Sequence, residues 1–294
     1  MKALRWGTAC LLLAAAPQMW GQAAPVAASA QDPAGVWKVL TEPVFDAGKA
    51  ASVKELALAR DRIHILLVDG AIQFTQPVNG IVYGAAFRGR GRLHMEPPDP
   101  REAQQLQLLA KQNPLDLEFS EATFSFTDDT FDEIAAVVQW SAGADPKLAE
   151  TYVSRQRQRE DAAAELLPRL YKGVLSADHK RTALFAADLK SGGTWIHARF
   201  DALSPEEVSV GRWVDVVGGK LVETWMSFPA DGRSSAAAWR DPLAKQDFDI
   251  RSYQITATAT GGAELSATTK VNLQYRVPGE RVASFYLDPN LRVE

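Results

Sequence analysis

Along residues 53–96 apolar and polar positions alternate in short runs, the two-residue period of half-buried strands. Ile63, Ile65 and Leu67 share one face, Ile72 and Phe74 resume the alternation, and Tyr83 to Phe87 and Leu93 to Met95 follow. Asp69-Gly70, Asn79-Gly80 and Gly89-Arg90-Gly91 divide the runs. Such residues favour the positive φ of tight hairpins, so the spacing predicts an antiparallel meander of four or five strands. Pro97, Pro98 and Pro100 end it, because proline has no N–H for a ladder.

The pattern then changes period. Asp99, Pro100 and Glu102 supply an N-cap, a first-turn proline and an acidic first turn for a helix running through Leu106 and Leu109 to about Gln112, before Asn113-Pro114. Phe119, Phe124 and Phe126 mark another strand. Thr130 and Glu133 have capping-box spacing, ahead of a helix that should bury Phe131, Ile134, Val137 and Val138. A third, highly charged helix starts at Asp145-Pro146 and should end or kink at Pro168. Strand character returns around Leu184 to Ala187, Thr194 to Phe200, Gly211 to Val217 and Leu221 to Phe228. Asp231-Gly232 and residues 234–238 then read as a loop or short helix.

The clearest alternation comes last. Tyr253, Ile255, Ala257 and Ala259 alternate with Gln254, Thr256, Thr258 and Thr260, Gly261-Gly262 turns, and Leu265, Ala267, Val271, Leu273 and Tyr275 return on one face. A third strand carrying Phe285 and Leu287 should follow Pro278-Gly279, with a fourth from Leu291 to Val293. Strands with one apolar face need a second layer to bury it. Residues 246–294 are therefore expected to open a larger antiparallel β-domain.

Composition sharpens the other end. Lys2 and Arg5, the apolar run Gly7 to Ala16 and the Ala28-Ser29-Ala30 site read as a secretory signal peptide over residues 1–30, with a cut after Ala23 as the alternative. The apolar run is shorter than the ~20 residues of a spanning helix. No membrane span is expected, and the product is placed in the periplasm or outside the cell. The single cysteine, Cys10, precedes most of the apolar core, which argues against a lipid anchor. Residues 31–294 then lack any disulfide or thiolate. Net charge is −4, so no nucleic-acid partner is expected, and 46% hydrophobic residues argue for a globular chain.

These segments carry a family resemblance. The run from Tyr253 through Gly261-Gly262 to Phe285-Tyr-Leu-Asp-Pro-Asn-Leu-Arg-Val293 is similar to the first strands of the N-terminal β-domain in zinc aminopeptidases of the membrane alanyl aminopeptidase family. Upstream, Gln76-Pro-Val-Asn-Gly-Ile-Val-Tyr-Gly84, Phe87-Arg-Gly-Arg-Gly91, Met95-Glu-Pro-Pro98 and Phe126-Thr-Asp-Asp-Thr130 resemble an extension found in exported bacterial members. That family's chemistry rests on H-E-x-x-H, two imidazoles one helical turn apart with a glutamate base. This sequence contains no such motif and no Gly-x-Met-Glu-Asn motif. The resemblance implies a noncatalytic front end, with zinc only in an absent peptidase domain and with polypeptide substrate or that domain as partner.

Other constellations are weaker. His64, His94, His179 and His197 lack ligand spacing, although His94-Met95-Glu96 on a strand aims His94 and Glu96 at one face. Asp128-Asp129 could form an acid/base pair and is better read as helix capping. Gly232-Arg-Ser234-Ser-Ala236 resembles a nucleophile elbow only loosely, since no base or acid can be placed for Ser234. Arg88, Arg90 and Arg92 could cradle an anion, and Arg155, Arg157 and Arg159 could crowd one helix; both sets are read as solvated faces. Trp37, Trp140, Trp195, Trp213, Trp225 and Trp239 are read as core rather than as a ligand platform.

No catalytic, cofactor-binding or metal residue is assigned. The expected architecture is α+β: a signal peptide over 1–30, a mixed accessory domain over 31–245 built on an antiparallel β meander with a few helices, and over 246–294 the first strands of an antiparallel β-domain. The expected role is an exported, noncatalytic, substrate-positioning segment of an aminopeptidase-like protein. The alternative is a self-contained secreted binding or envelope protein for a peptide, glycan or protein partner, and a hydrolase using Ser234 or Asp128/Asp129 stands third.

Overall fold

A computed structural model of the chain describes residues 8–11, 32–141, 145–160, 166–217, 219–230, 245, 247–259 and 265–286. In chain order the elements are β1 (Thr8–Leu11), α1 (Pro33–Thr41), β2 (Phe45–Arg60), β3 (Ile63–Thr75), β4 (Gly84–Met95), α2 (Pro100–Leu109), β5 (Leu115–Phe126), α3 (Thr130–Ala135) and β6 (Gln139–Ser141). They continue as α4 (Pro146–Glu160), α5 (Leu166–Leu175), β7 (Leu184–Ser191), β8 (Thr194–Asp201), β9 (Val208–Val216), β10 (Gly219–Phe228), β11 (Phe248–Ala259), β12 (Leu265–Tyr275) and β13 (Ala283–Tyr286). The architecture is α+β, as the alternation predicts.

Nine strands form one antiparallel sheet in the order β10-β9-β8-β7-β5-β4-β3-β2-β6. The main apolar cluster draws on Leu58, Ile65, Leu67, Phe74, Phe87, Phe124, Met226 and Phe228 of this sheet together with Leu106 of α2 and Ile134 of α3. A second cluster joins Val36 and Leu40 of α1 to Leu170, Tyr171 and Val174 of α5, over Leu184 and Ala186 of β7. Leu148 and Tyr152 of α4 pack with Ala86 and Phe45. Among the described residues, no helix is long and apolar enough to cross a membrane.

Two expected turns are instead strand interiors. Asp69-Gly70 lies inside β3, and Gly89-Arg90-Gly91 lies inside β4, with Gly70 opposite Gly89 in the ladder. Their φ angles are +151° and +158°, and a Cβ on Gly89 would stand 2.0 Å from the Asp69 carbonyl oxygen. The glycines serve a close backbone approach with a register shift on each side of β4, a role that shares its composition with turns. The real β2–β3 turn is Asp61-Arg62, with Asp61 at φ 53°. Asn79-Gly80 does turn, closing the Val78–Ile81 bridge.

The helices follow local chemistry in part. The Asp99 carboxylate accepts from the N–H groups of Arg101 and Glu102 and opens α2 behind Pro100. At α3 the capping box does not form. The Asp128 carboxylate accepts from the Thr130 N–H and hydroxyl, while Glu133 pairs with the Arg60 guanidinium. That helix buries Ile134 and leaves Val137 exposed. Pro168 sits in the first turn of α5, where its missing N–H costs no helix bond. Helix α1, capped by Asp32, precedes the meander in a stretch where the hydrophobic pattern predicts no element.

The C-terminal alternation folds as the pattern requires up to one point. Among the described residues β11 pairs only with β12, and β13 pairs with β1 rather than extending the hairpin. Val282 and Ala283 are buried, Val282 within the α1/α5 cluster, so apolar burial draws the chain back to the body before β13 begins. Gly261-Gly262, Asp231-Gly232, Leu287 and the stretch Leu291 to Val293 lie outside the described residues, as do residues 1–30 apart from β1.

Candidate functional site

The β11–β12 register shows what the alternation prepares. Ala259 opposes Leu265, Ala257 opposes Ala267, Ile255 opposes Thr269, Tyr253 opposes Val271 and Ile250 opposes Leu273. A bulge at Arg251 keeps Ile250 on the same face as Tyr253. The opposite face pairs Thr258 with Ser266, Thr256 with Thr268 and Gln254 with Lys270. The apolar face is open to solvent: Tyr253 is 57% exposed, Ile255 64% and Leu265 65%.

The base of this ribbon is buried and charged. Asp247, just before β11, pairs with the Lys172 ammonium of α5 and with the Arg181 guanidinium. Arg181 also reaches Glu280, which accepts from the Ser176 hydroxyl at 3.0 Å. The Arg276 N–H donates to the Asp247 carbonyl at 2.7 Å, and its guanidinium pairs with Asp249. Phe248 packs on Tyr275 and on Phe285, with ring centroids 6.2 and 5.6 Å away. Burial pushes the Lys172 amine down to about 8; Glu280 opposes that shift, while Arg169 and Arg181 add to it. The hairpin is thus pinned at one end by a charge cluster reaching into α5.

A second concavity lies on the sheet, where His64, His94 and Asp116 stand opposite one another on β3, β4 and β5. His94 Nδ1 is 2.7 Å from Asp116 Oδ1, and His94 Nε2 is 3.7 Å from Glu96 Oε1, so His94 and Glu96 share a face as expected. His64, His94 and Asp116 edge a cleft of about 510 Å³ lined also by Leu66, Arg92 and Leu117. A proton on Nδ1 donated to Asp116 orients the ring. The cleft's titratable lining is His64, His94, Arg92, Asp116 and Glu118, a polar rim around the apolar floor of Leu58, Ile65 and Leu93. Among the described residues, no group of three or more His, Cys, Asp or Glu side chains is placed to hold a metal ion.

The sequence reading misplaces Arg155. Expected on a solvated face, its side chain is 3% exposed and pairs with the fully buried Asp188 of β7 at 2.9 Å. Asp188 also accepts from Trp213 Nε1 at 3.0 Å and meets His197 Nδ1 at 2.7 Å. The guanidinium carbon lies 4.5 Å from the Trp195 ring centroid and 5.2 Å from that of Trp213. This cluster docks α4 on the sheet. Its members come from α4, β7, β8 and β9, a juxtaposition no local spacing encodes.

The remaining candidates separate. Arg88, Arg90 and Arg92 pair with Asp145, Asp69 and Glu118 rather than gathering around an anion site. Arg60 holds Asp128 and lies over Phe185, so Asp128 is an ion-pair and capping group. Arg157 is exposed, while the Arg159 side chain, Ser234 and Trp239 lie outside the described residues. Trp213 and Trp225 are buried, Trp37 packs on Tyr171, and Trp140 is exposed. His179 Nδ1 meets the Gly173 carbonyl. No match to a protein-family model, to a curated protein or to a solved structure is found for this chain.

Proposed function

We propose that the chain is an exported, noncatalytic polypeptide-engaging segment: the N-terminal accessory region of a zinc aminopeptidase-like metallopeptidase, whose zinc and catalytic groups belong to a separate peptidase domain. The observation that carries this reading is the hairpin pinned at its base with its apolar face open. A two-stranded ribbon is marginal alone and gains from a further β-layer on that face. Covering the solvated parts of Tyr253, Ile255 and Leu265 contributes on the order of 1–2 kcal/mol per side chain, before association costs. A partner polypeptide is the natural covering.

The test is fluorescence anisotropy with a labelled, permanently unfolded polypeptide such as reduced, carboxymethylated α-lactalbumin. Saturable binding that falls at least tenfold in the Ile255→Asp, Leu265→Asp double variant is expected; equal binding by a folded double variant overturns the assignment to this face. Reading the coding sequence beyond codon 294 for an in-frame H-E-x-x-H tests the peptidase connection. The second reading, a self-contained secreted binding protein, is favoured by the His94–Asp116 cleft. It requires a ligand whose affinity responds to Asp116→Ala and not to the hairpin variant.

A further inference from the structure

Strand β13 carries an observation the hairpin reading does not use. Thr8–Leu11 lies along it in antiparallel register: Thr8 opposite Tyr286, Ala9 opposite Phe285, Cys10 opposite Ser284 and Leu11 opposite Ala283. These four residues fall inside the apolar core of the stretch whose charge, length and small-x-small site read as an export leader. In the precursor, then, the edge of β13 is occupied by a segment that export processing removes.

We propose that leader removal uncovers the β13 edge as a strand-docking site, and that the occupant in the mature protein is an extended, uncharged stretch of a partner polypeptide bound antiparallel by its main chain. The leader strand supplies the template: four residues, Thr-Ala-Cys-Leu, with no charge and no proline. The β13 side is held ready. Val282 and Ala283 are buried in the body, Phe285 packs on Phe248 at the hairpin base, and Glu280 two residues upstream is held by Arg181 and Ser176. Among the described residues β13 pairs with β1 alone, so with the leader gone it is a single strand held by its flanks, and an extended segment laid along it restores the two-stranded main-chain pairing that the leader makes. The proposal rests on the export and polypeptide-binding reading above, and its test separates the two.

In the unexported full chain, Ser284→Cys places a second thiol opposite the chain's single cysteine in the register. Mild oxidation and intact-mass analysis should show an intramolecular disulfide between Cys10 and the thiol introduced at position 284 in most molecules. A folded variant that keeps both thiols free overturns the seating of the leader. The exported chain, with its N-terminus read by mass spectrometry, is then titrated with a fluorescent synthetic peptide of residues 5–14. Saturable binding is expected, at least tenfold weaker in the unprocessed chain and at least tenfold weaker for a peptide N-methylated at alternate amides on the pairing edge. The N-methylated peptide removes main-chain donors without touching the protein's fold. No saturation up to millimolar peptide by a folded, processed chain overturns the docking site, and so does an exported chain that retains residues 1–30. Ile255→Asp should leave peptide binding within twofold, so unchanged binding of the unfolded polypeptide by the folded hairpin variant overturns the earlier reading and not this one.

Discussion

The nine-stranded sheet and the β11–β12 hairpin are written in the same two-residue alternation and end in opposite surroundings. In the sheet, Ile65 and Leu67 alternate with exposed or half-buried neighbours and are essentially inaccessible, because α2 and α3 close the main cluster and α1, α4 and α5 cover other parts of the sheet. In the hairpin, Tyr253, Ile255 and Leu265 alternate as cleanly and stand in solvent. Alternation therefore encodes a face and leaves its partner unspecified. Buried charge differs as well: Asp188 of the sheet is buried against Arg155 of α4, while among the described residues the hairpin's buried charges lie at its root.

The largest expected effect tests the sheet side of that contrast. Asp188→Ala removes the shared acceptor of Arg155, His197 and Trp213 and leaves a guanidinium buried without its carboxylate, which costs about 3–5 kcal/mol. Urea unfolding followed by tryptophan fluorescence should show it; a loss below about 1 kcal/mol would mean α4 is not held by this cluster. Leu67→Ala, at a fully buried position of β3, should cost about 2–5 kcal/mol in the same assay.

The root of the hairpin titrates. The Lys172 amine, at about 8 in the folded chain, lies below its ordinary value of 10.5. The folded state therefore sheds this proton first, and between those two values the unfolded chain binds more protons. Stability from this group rises with pH across that window and is flat below it. Lys172→Met removes the slope, so the parent should gain about 2 kcal/mol relative to the variant between pH 7 and pH 10. A difference that stays constant with pH would mean the amine is not buried in the clamp.

Much of this architecture was legible in the sequence, for reasons that mark where legibility stops. Asp99-Pro100 declared α2 because capping is a matter of adjacent residues, and the Tyr253-to-Tyr275 alternation declared a one-faced ribbon that the register reproduces pair by pair. Asp69-Gly70 and Gly89-Arg90-Gly91 misled because glycine serves a close strand crossing as well as a turn, and only the opposed partner tells them apart. His94 and Glu96 were visible as a same-face pair; Asp116, which completes the arrangement, arrives from the next strand with no local mark. The Arg155 cluster was invisible for the same reason. A charged run around residue 155 reads as solvated until three strands bring Asp188, His197 and two indole rings against it.

The smallest expected effect is the sharpest test of the comparison. Leu265→Ala makes the same truncation as Leu67→Ala, on the same alternation, but at a position 65% exposed rather than buried. Truncating a solvated side chain leaves no cavity, so folding stability should change by no more than about 0.5 kcal/mol. Binding of the unfolded polypeptide should nevertheless weaken severalfold, since the lost contacts exist only in the complex. If Leu265→Ala instead costs the roughly 2 kcal/mol or more expected of Leu67→Ala, the hairpin face is already covered in the isolated chain, and its assignment as a docking surface fails. A variant that folds like the parent and binds worse places the hairpin's apolar residues in recognition and those of the sheet in the core.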